Sequence, residues 1–428
     1  MWVTWIVVHH PSLNLEPTIS GPTLLMAGLL AALHANRARI HRPVLVGGLS
    51  GLIAGAITLA CVTSILVQQS DPSAGPVASD SLISGGQRPP LPLLIAGFLV
   101  TCTVMGLVAA TAARWLPSST PRHSPHAKAA WVTFVAVVPL VVLGGLVTST
   151  RSGLAVPDWP GTYGGNMFLY PVSLMASNNH VFLEHSHRLF GVLVGLCGIS
   201  LVTLTFLGQA SKSTKILACA ALALIIVQGA LGGLRVEIPS QAKAILHGIL
   251  AQFIVGILGA TVATACWDTT SPQPHPGDRK LRVFATALVH TTLIQVVFGA
   301  IFRHTGGTHA LYTHIVISLA VLVLALMAGF KAGTLPRPSD RRTTGHAVVA
   351  LVTIQFVLGW VALIVAPPSI DRTVPANNAL STITPTPGWK AALRTAHQAN
   401  GALLLAASCA LLAHTRRARA TAATPRPE

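Results

Sequence analysis

Charge is what this chain has least of. Only 9% of its 428 residues are Asp, Glu, Lys or Arg, against roughly 25% in an ordinary soluble domain. With 52% hydrophobic residues, a disordered chain and a water-soluble enzyme are both excluded, and a polytopic membrane protein remains. Acid is scarcer than base: Asp+Glu 11 against Lys+Arg 28 gives +17. In a soluble protein that surplus would point to nucleic acid. Here the basic residues stand in short runs between apolar stretches, which is a topology signal, so no nucleic-acid partner is expected. Cysteine is also sparse. Cys61, Cys102, Cys197, Cys219, Cys266 and Cys409 each fall inside or at the end of an apolar stretch, and none forms a CxxC pair. Zinc, iron–sulfur and disulfide frameworks therefore lack support, and the six read as small buried hydrophobes. The opening MWVTWIVVHHPSLNLEP has neither a basic n-region nor a small-residue cleavage site, and does not read as a signal peptide.

What is present is a series of long apolar runs. A crossing helix needs about 20 apolar residues. Eleven candidates lie near 20–35, 44–68, 93–115, 129–148, 181–207, 216–234, 244–266, 282–302, 313–330, 346–366 and 392–413, the first of them short. The loops at 114–128, 208–215, 267–282, 331–345 and the tail from 414 hold sixteen Lys and Arg; the intervening loops after 148 hold seven. The first set is expected on the cytoplasmic side, with the C-terminus, in a multi-pass protein of the plasma membrane.

From residue 129 the chain looks duplicated. Gln228 and Gly232 form Q-x3-G, and Gln295 with Gly299 and Gln355 with Gly359 repeat it. His187 precedes Gln228 by the same interval as His314 precedes Gln355. A histidine then stands near the start of each unit's last helix, at His247 and His397. The expected architecture is all-α: two pseudo-symmetric four-helix bundles, 129–266 and 282–413, preceded over 1–125 by an extension of about three helices and followed by a basic cytoplasmic tail, 414–428.

His187, His247, His314 and His397 all lie early in helices expected to enter from outside, at similar depth. Any one alone is most simply a buried ring with a hydrogen-bond partner. Four at matched depth, two per unit, suit two six-coordinate haem irons, because side chains from two helices of a bundle can face each other across its core. His290 has no counterpart in the first unit and reads as structural. Glu184 and His187 are i and i+3, on one helix face. The matching turn of the second unit has neither carboxylate nor arginine, which suggests one site for chemistry and one for electrons. Arg188 is expected to grip a haem propionate, with an ion pair to Glu184 at i+4 as the plainer reading. The Gly-, Pro- and Trp-containing loop 149–180 suits a cap over a cavity, and Asp158 within it reads either as a functional carboxylate or, more plainly, as an N-cap or turn residue.

GGLVTSTRSGLAVPDWPG (144–161), E-x-x-H-R at Glu184, His187 and Arg188, and the histidines at 247, 314 and 397 together resemble the haem A synthase family, over about 129–413. The resemblance implies an oxidoreductase that converts the C8 methyl of haem O to the formyl group of haem A, with water as the oxygen source. It implies substrate haem O on His187 and His247, a haem b cofactor on His314 and His397, and Glu184 as the catalytic carboxylate. A carboxylate beside a methyl losing electrons can stabilise the cationic centre and take the proton of the attacking water. Implied partners are the lipid bilayer, a protohaem farnesyltransferase supplying haem O, and an electron acceptor such as quinone; an oligomer is compatible. Two features depart from the family pattern: no cysteine pair stands in an outer loop, and the first three helices have no family counterpart. A di-haem b electron-transfer subunit without turnover is the alternative, and a haem carrier a third reading.

Overall fold

The computed structural model describes residues 2–10, 13, 23, 26–30, 43–70, 90–113, 124–266, 278–335, 339–365 and 386–423. The described helices are α1 (Trp2–Val8), α2 (Pro43–Ser70), α3 (Leu91–Ala112), α4 (Pro125–Ser149), α5 (Val172–Ala176), α6 (Asn179–Leu207), α7 (Lys212–Glu237), α8 (Gln241–Ala265), α9 (Asp278–Thr305), α10 (Thr308–Gly333), α11 (Asp340–Val365) and α12 (Gly388–Ala423). Among the described residues nine of these, α3, α4 and α6 to α12, are long and apolar enough to cross a membrane. The protein is an all-α polytopic membrane protein. A helix is the form that satisfies every backbone N–H and C=O within one apolar segment. The nine match the last nine sequence candidates; α2 matches 44–68, and 20–35 lies largely outside the described residues.

Local chemistry sets several boundaries. Ser124 caps α4 by accepting from the Ala127 N–H, with Pro125 at the first helical position, where its missing N–H costs nothing. Ser211 caps α7 through the Thr214 N–H. The α9–α10 connection is a tight turn in which Gly306 has φ +64°, a conformation that favours glycine.

The chain divides into two compact units. One comprises 1–122 and 152–189. Its helices α2 and α3 approach by backbone: a Cβ at Gly51 would run into the Cys102 carbonyl, and one at Gly106 into the Gly47 carbonyl. Small residues permit this close packing between membrane helices. The same unit holds α1, with Trp5 and Val8 buried, the segment 152–178, and the first turns of α6.

The other unit comprises 123–151 and 190–428. Its α12 is the hub, packed against α4, α8, α9 and α11. Between α8 and α12 a Cβ at Gly259 would meet the Ala406 backbone, and Gly256 faces Leu405 and Cys409. One apolar core gathers α4, α6, α7 and α8 around Val141, Val194, Ala221 and Leu258. A second gathers α9 to α12 around Leu288, Val321, Val352 and Leu404. At the end away from the α9–α10 turn, buried Arg341 and Asp278 tie α11 to α9.

Candidate functional site

Two constellations emerge, one in each unit. The first is built around Glu184, 4% exposed on α6. Its Oε2 accepts from the Val156 N–H at 2.9 Å and its Oε1 from Arg188 Nη2 at 2.8 Å. Arg188 Nη2 also donates to the Val156 carbonyl at 3.0 Å, and Nη1 donates to the carbonyls of Asp158 at 2.7 Å and Gly161 at 3.0 Å. One ion pair therefore staples the loop to the helix, and the i+4 pair weighed from the sequence is in place. Around it, His185 is 2% exposed and lies 3.3 Å from Thr162 Oγ1. His180 Nδ1 lies 2.8 Å from Ser152 Oγ. His187 is one turn from Glu184 on α6.

Asp158 is a turn residue. Its carboxylate accepts from the N–H groups of Tyr163 and Gly164 at 2.7 and 2.9 Å. Tyr163, at φ +50°, is held in a conformation uncommon for a side-chain-bearing residue. Its hydroxyl donates to the Ala155 carbonyl at 2.6 Å. Partial burial, then the negative charges of Glu184 and Asp158, push the Tyr163 phenol above its ordinary value. Residues 155–165 are thus pinned to α6 and to one another rather than forming a loose loop.

The second constellation is a set of histidine seats. His314 on α10 and His397 on α12 face each other with ring centroids 6.3 Å apart and planes at 72°. His314 Nδ1 lies 3.0 Å from the Gln295 carbonyl on α9, which leaves Nε2 as the atom for a ligand. A Cβ at Gly299 would stand 2.8 Å from His314 Cε1, and one at Gly359 would stand 3.1 Å from His397 Cε1. The Gln355 amide nitrogen lies 3.2 and 3.3 Å from the two ring nitrogens of His397 and must withdraw from Nε2 before that atom can ligate. The Gln355 amide oxygen in turn accepts from Asn400 Nδ2 at 2.8 Å. His247 on α8 has the same kind of seat: Gln228 Nε2 donates to its carbonyl at 3.0 Å, and a Cβ at Gly232 would stand 3.2 Å from its Cε1.

The repeated Q-x3-G thus serves three of the four histidines. In each case the glycine leaves room for the ring on the next helix, and the glutamine meets that histidine's backbone or ring. The sequence carried the signal, since Gln228 and Gln295 each precede their histidine by the same 19 residues. Its purpose was missing because it lies between helices. Arg303 was also missed; its guanidinium donates from Nη2 to Ser149 Oγ at 2.7 Å. His290 is exposed with Nδ1 near its own helix's Thr286 carbonyl.

The separation of the His314 and His397 rings has a chemical meaning. A metal–nitrogen bond is about 2 Å, and an imidazole centroid lies about 1 Å behind its nitrogen. Two rings sharing one metal therefore stand about 6 Å apart. Among the described residues no three His, Cys, Asp or Glu side chains converge on one point. A pair of imidazoles suits a metal that arrives with four donors of its own, in a macrocycle such as haem. The Gln295 carbonyl holding the second ring nitrogen is the usual support for a ligating histidine.

Fold and site define a helical membrane bundle with paired histidine seats and a capped carboxylate. Residues 127–314 match the family model COX15-CtaA, described as cytochrome oxidase assembly protein. The heme A synthase of Exiguobacterium sp. (strain ATCC BAA-1283 / AT1b) is 31% identical over 175 residues, 40% of this chain and 55% of the relative. That of Exiguobacterium sibiricum is 30% identical over 188 residues, 42% and 60%. The chain thus spans between half and two thirds of the curated relatives it matches, and over this segment it resembles the haem A synthase family. The matching family segment takes in Glu184, His187, Arg188, His247 and His314 and stops there, short of the 129–413 drawn from the motifs. His397 lies outside that match and joins the set through the sequence repeat and through its geometry beside His314.

Proposed function

We propose that this protein is an oxidoreductase of haem A biosynthesis that converts the C8 methyl of haem O to a formyl group with oxygen from water. The observation that carries the reading is the His314–His397 pair, spaced for one metal between two imidazoles. Those two residues would hold haem b, which when bound supplies a one-electron relay. The assignment of the substrate to His187 and His247 rests on the sequence repeat and the family resemblance. Glu184 accepts from Val156 on one oxygen and from Arg188 on the other, with the Ala155 N–H also turned towards it. A carboxylate has about four accepting positions, so Glu184 retains capacity to accept the proton of an attacking water. The cap 152–165, held by Arg188, excludes bulk water beside it. Arg188 acts in this reading through the cap, and a propionate would have to compete with the three backbone carbonyls it already binds. The surplus of Lys and Arg in the alternate loops supports an extracytoplasmic position for the histidines, in the plasma membrane. A protohaem farnesyltransferase supplies haem O, and a quinone-class acceptor takes the electrons.

The test is co-expression with a haem O supply, followed by mass analysis of the extracted haem. Haem A or a hydroxylated haem O is expected, absent in a Glu184→Gln variant. A second reading, a di-haem b electron-transfer subunit, is favoured by one observation: both Glu184 oxygens are engaged in holding the cap. Under it the extract contains haem b alone even when haem O is supplied, and Glu184→Gln leaves the pigment unchanged.

A further inference from the structure

Arg303 has an arrangement that its neighbours do not complete. It stands at the end of α9, one turn beyond Gly299, the residue against which the His314 ring rests. Positions four apart share a helix face. The arginine therefore lies about 6 Å further along the axis than the imidazole seat. Its Nη2 donates to Ser149 Oγ, and Ser149 Oγ lies 3.3 Å from Thr395 Oγ1. Both hydroxyl residues are 3% exposed. Its Nε is buried with no hydrogen-bond partner among the described residues. The charge that acts on it is of its own sign: Arg394, three residues before His397 on α12. Arg151 acts on Arg394 in turn, and Arg303 on His304 and His397. A buried guanidinium among like charges is costly unless an anion joins it.

Arg303 and Arg394 thus stand on the faces that carry the His314 and His397 seats, one turn nearer the α9–α10 connection. A haem clasped by those rings presents its carboxylates along one edge. We infer that Arg303, with Arg394 beside it, is the carboxylate-binding site for the haem of the second bundle, and that it sets which edge of the macrocycle points towards the α9–α10 turn. The inference rests on the haem reading of His314 and His397. Arginine suits the role because its fork matches a carboxylate with two hydrogen bonds. Ser149 and Thr395 hold the fork in place, and the Cβ-free surface of Gly145, where a Cβ would stand 2.8 Å from Thr395 Cγ2, lets α4 come close enough to supply Ser149.

The test titrates the full chain, purified in detergent without haem, with haem b and with its dimethyl ester, whose carboxylates are masked. Visible spectra report the two-histidine low-spin signature. In the unaltered protein the ester is expected to bind at least tenfold more weakly while giving the same spectrum. In Arg303→Gln, haem b falls to the ester's affinity and esterification costs nothing further; Arg303→Lys recovers part of the loss. Equal affinity for both pigments in the unaltered protein would assign the pocket to another anion, such as a lipid phosphate, and overturn the inference. Absence of the two-histidine spectrum with either pigment would overturn the haem reading itself. The unaltered-protein comparison needs no variant to fold.

Discussion

Gly299→Ala asks whether the histidine seat is a ligand site or ordinary packing. The added methyl carbon would stand 2.8 Å from His314 Cε1 and 3.1 Å from Nδ1. Comfortable carbon contacts begin near 3.5 Å, so the ring must retreat by about 0.7 Å or tilt. Overpacking of this kind costs about 1–3 kcal/mol. Tilting the ring also strains the Nδ1 hydrogen bond to the Gln295 carbonyl, worth about 1 kcal/mol. Together these set about 2–4 kcal/mol against the ligating pose, a loss of haem b affinity of roughly 30- to 1,000-fold. The helix is not weakened, since Ala is the better helix former by about 1 kcal/mol. A graded series controls the argument. Gly359→Ala, 3.1 Å from His397, and Gly232→Ala, 3.2 Å from His247, should give smaller losses at their own sites, and Gly229→Ala, with nothing within 4 Å, none. The assay is haem per polypeptide on purified protein, haem b for the Gly299, Gly359 and Gly229 variants and, with haem O supplied, haem O for Gly232→Ala, with thermal unfolding as the fold control. If Gly299→Ala retained haem b as well as Gly229→Ala, the seat would have no part in haem binding.

Three further outcomes are expected. His314→Ala and His397→Ala should each lose haem b, whereas Glu184→Gln should keep it and stop formyl production; loss of haem b in Glu184→Gln would reverse the assignment of the two sites. Arg188→Gln removes donors from the carbonyls of Val156, Asp158 and Gly161. Each buried charged hydrogen bond is worth about 1.5–3 kcal/mol and the three are not additive, so amide exchange over 152–165 should rise at least tenfold while exchange in α12 is unchanged. The Tyr163 phenol, raised in the folded protein, contributes stability that is complete below the unfolded value near 10 and is lost as pH rises through the higher folded value. Its phenolate cannot donate to Ala155, so the cap should open at strongly alkaline pH, followed by tyrosinate absorbance alongside cap proteolysis, and Tyr163→Phe should remove that pH step.

The membrane class was legible because hydropathy is a property of consecutive residues. A run such as Leu91–Ala112 buries its backbone in its own hydrogen bonds wherever its neighbours lie. The candidate histidines were legible for the same kind of reason. Polar rings early in apolar helices are anomalous on their own, and their repetition shows in the spacing. The Glu184–Arg188 pair was readable from the helix period, since i and i+4 are neighbours before any tertiary contact forms.

Tertiary structure alone decided what meets those residues. That Gly299 and Gly359 leave room for imidazoles, that Gln355 reaches His397 across 42 positions, and that Ser149 meets Arg303 across 154 all depend on how the helices are rotated and how closely they approach. That Arg188 turns to the carbonyls of the cap depends on the path of a loop with no period to read. Sequence singled out the polar side chains, because burial in lipid makes a polar residue conspicuous; packing determined their partners, because contacts between helices are fixed by rotation and separation, which no single segment encodes.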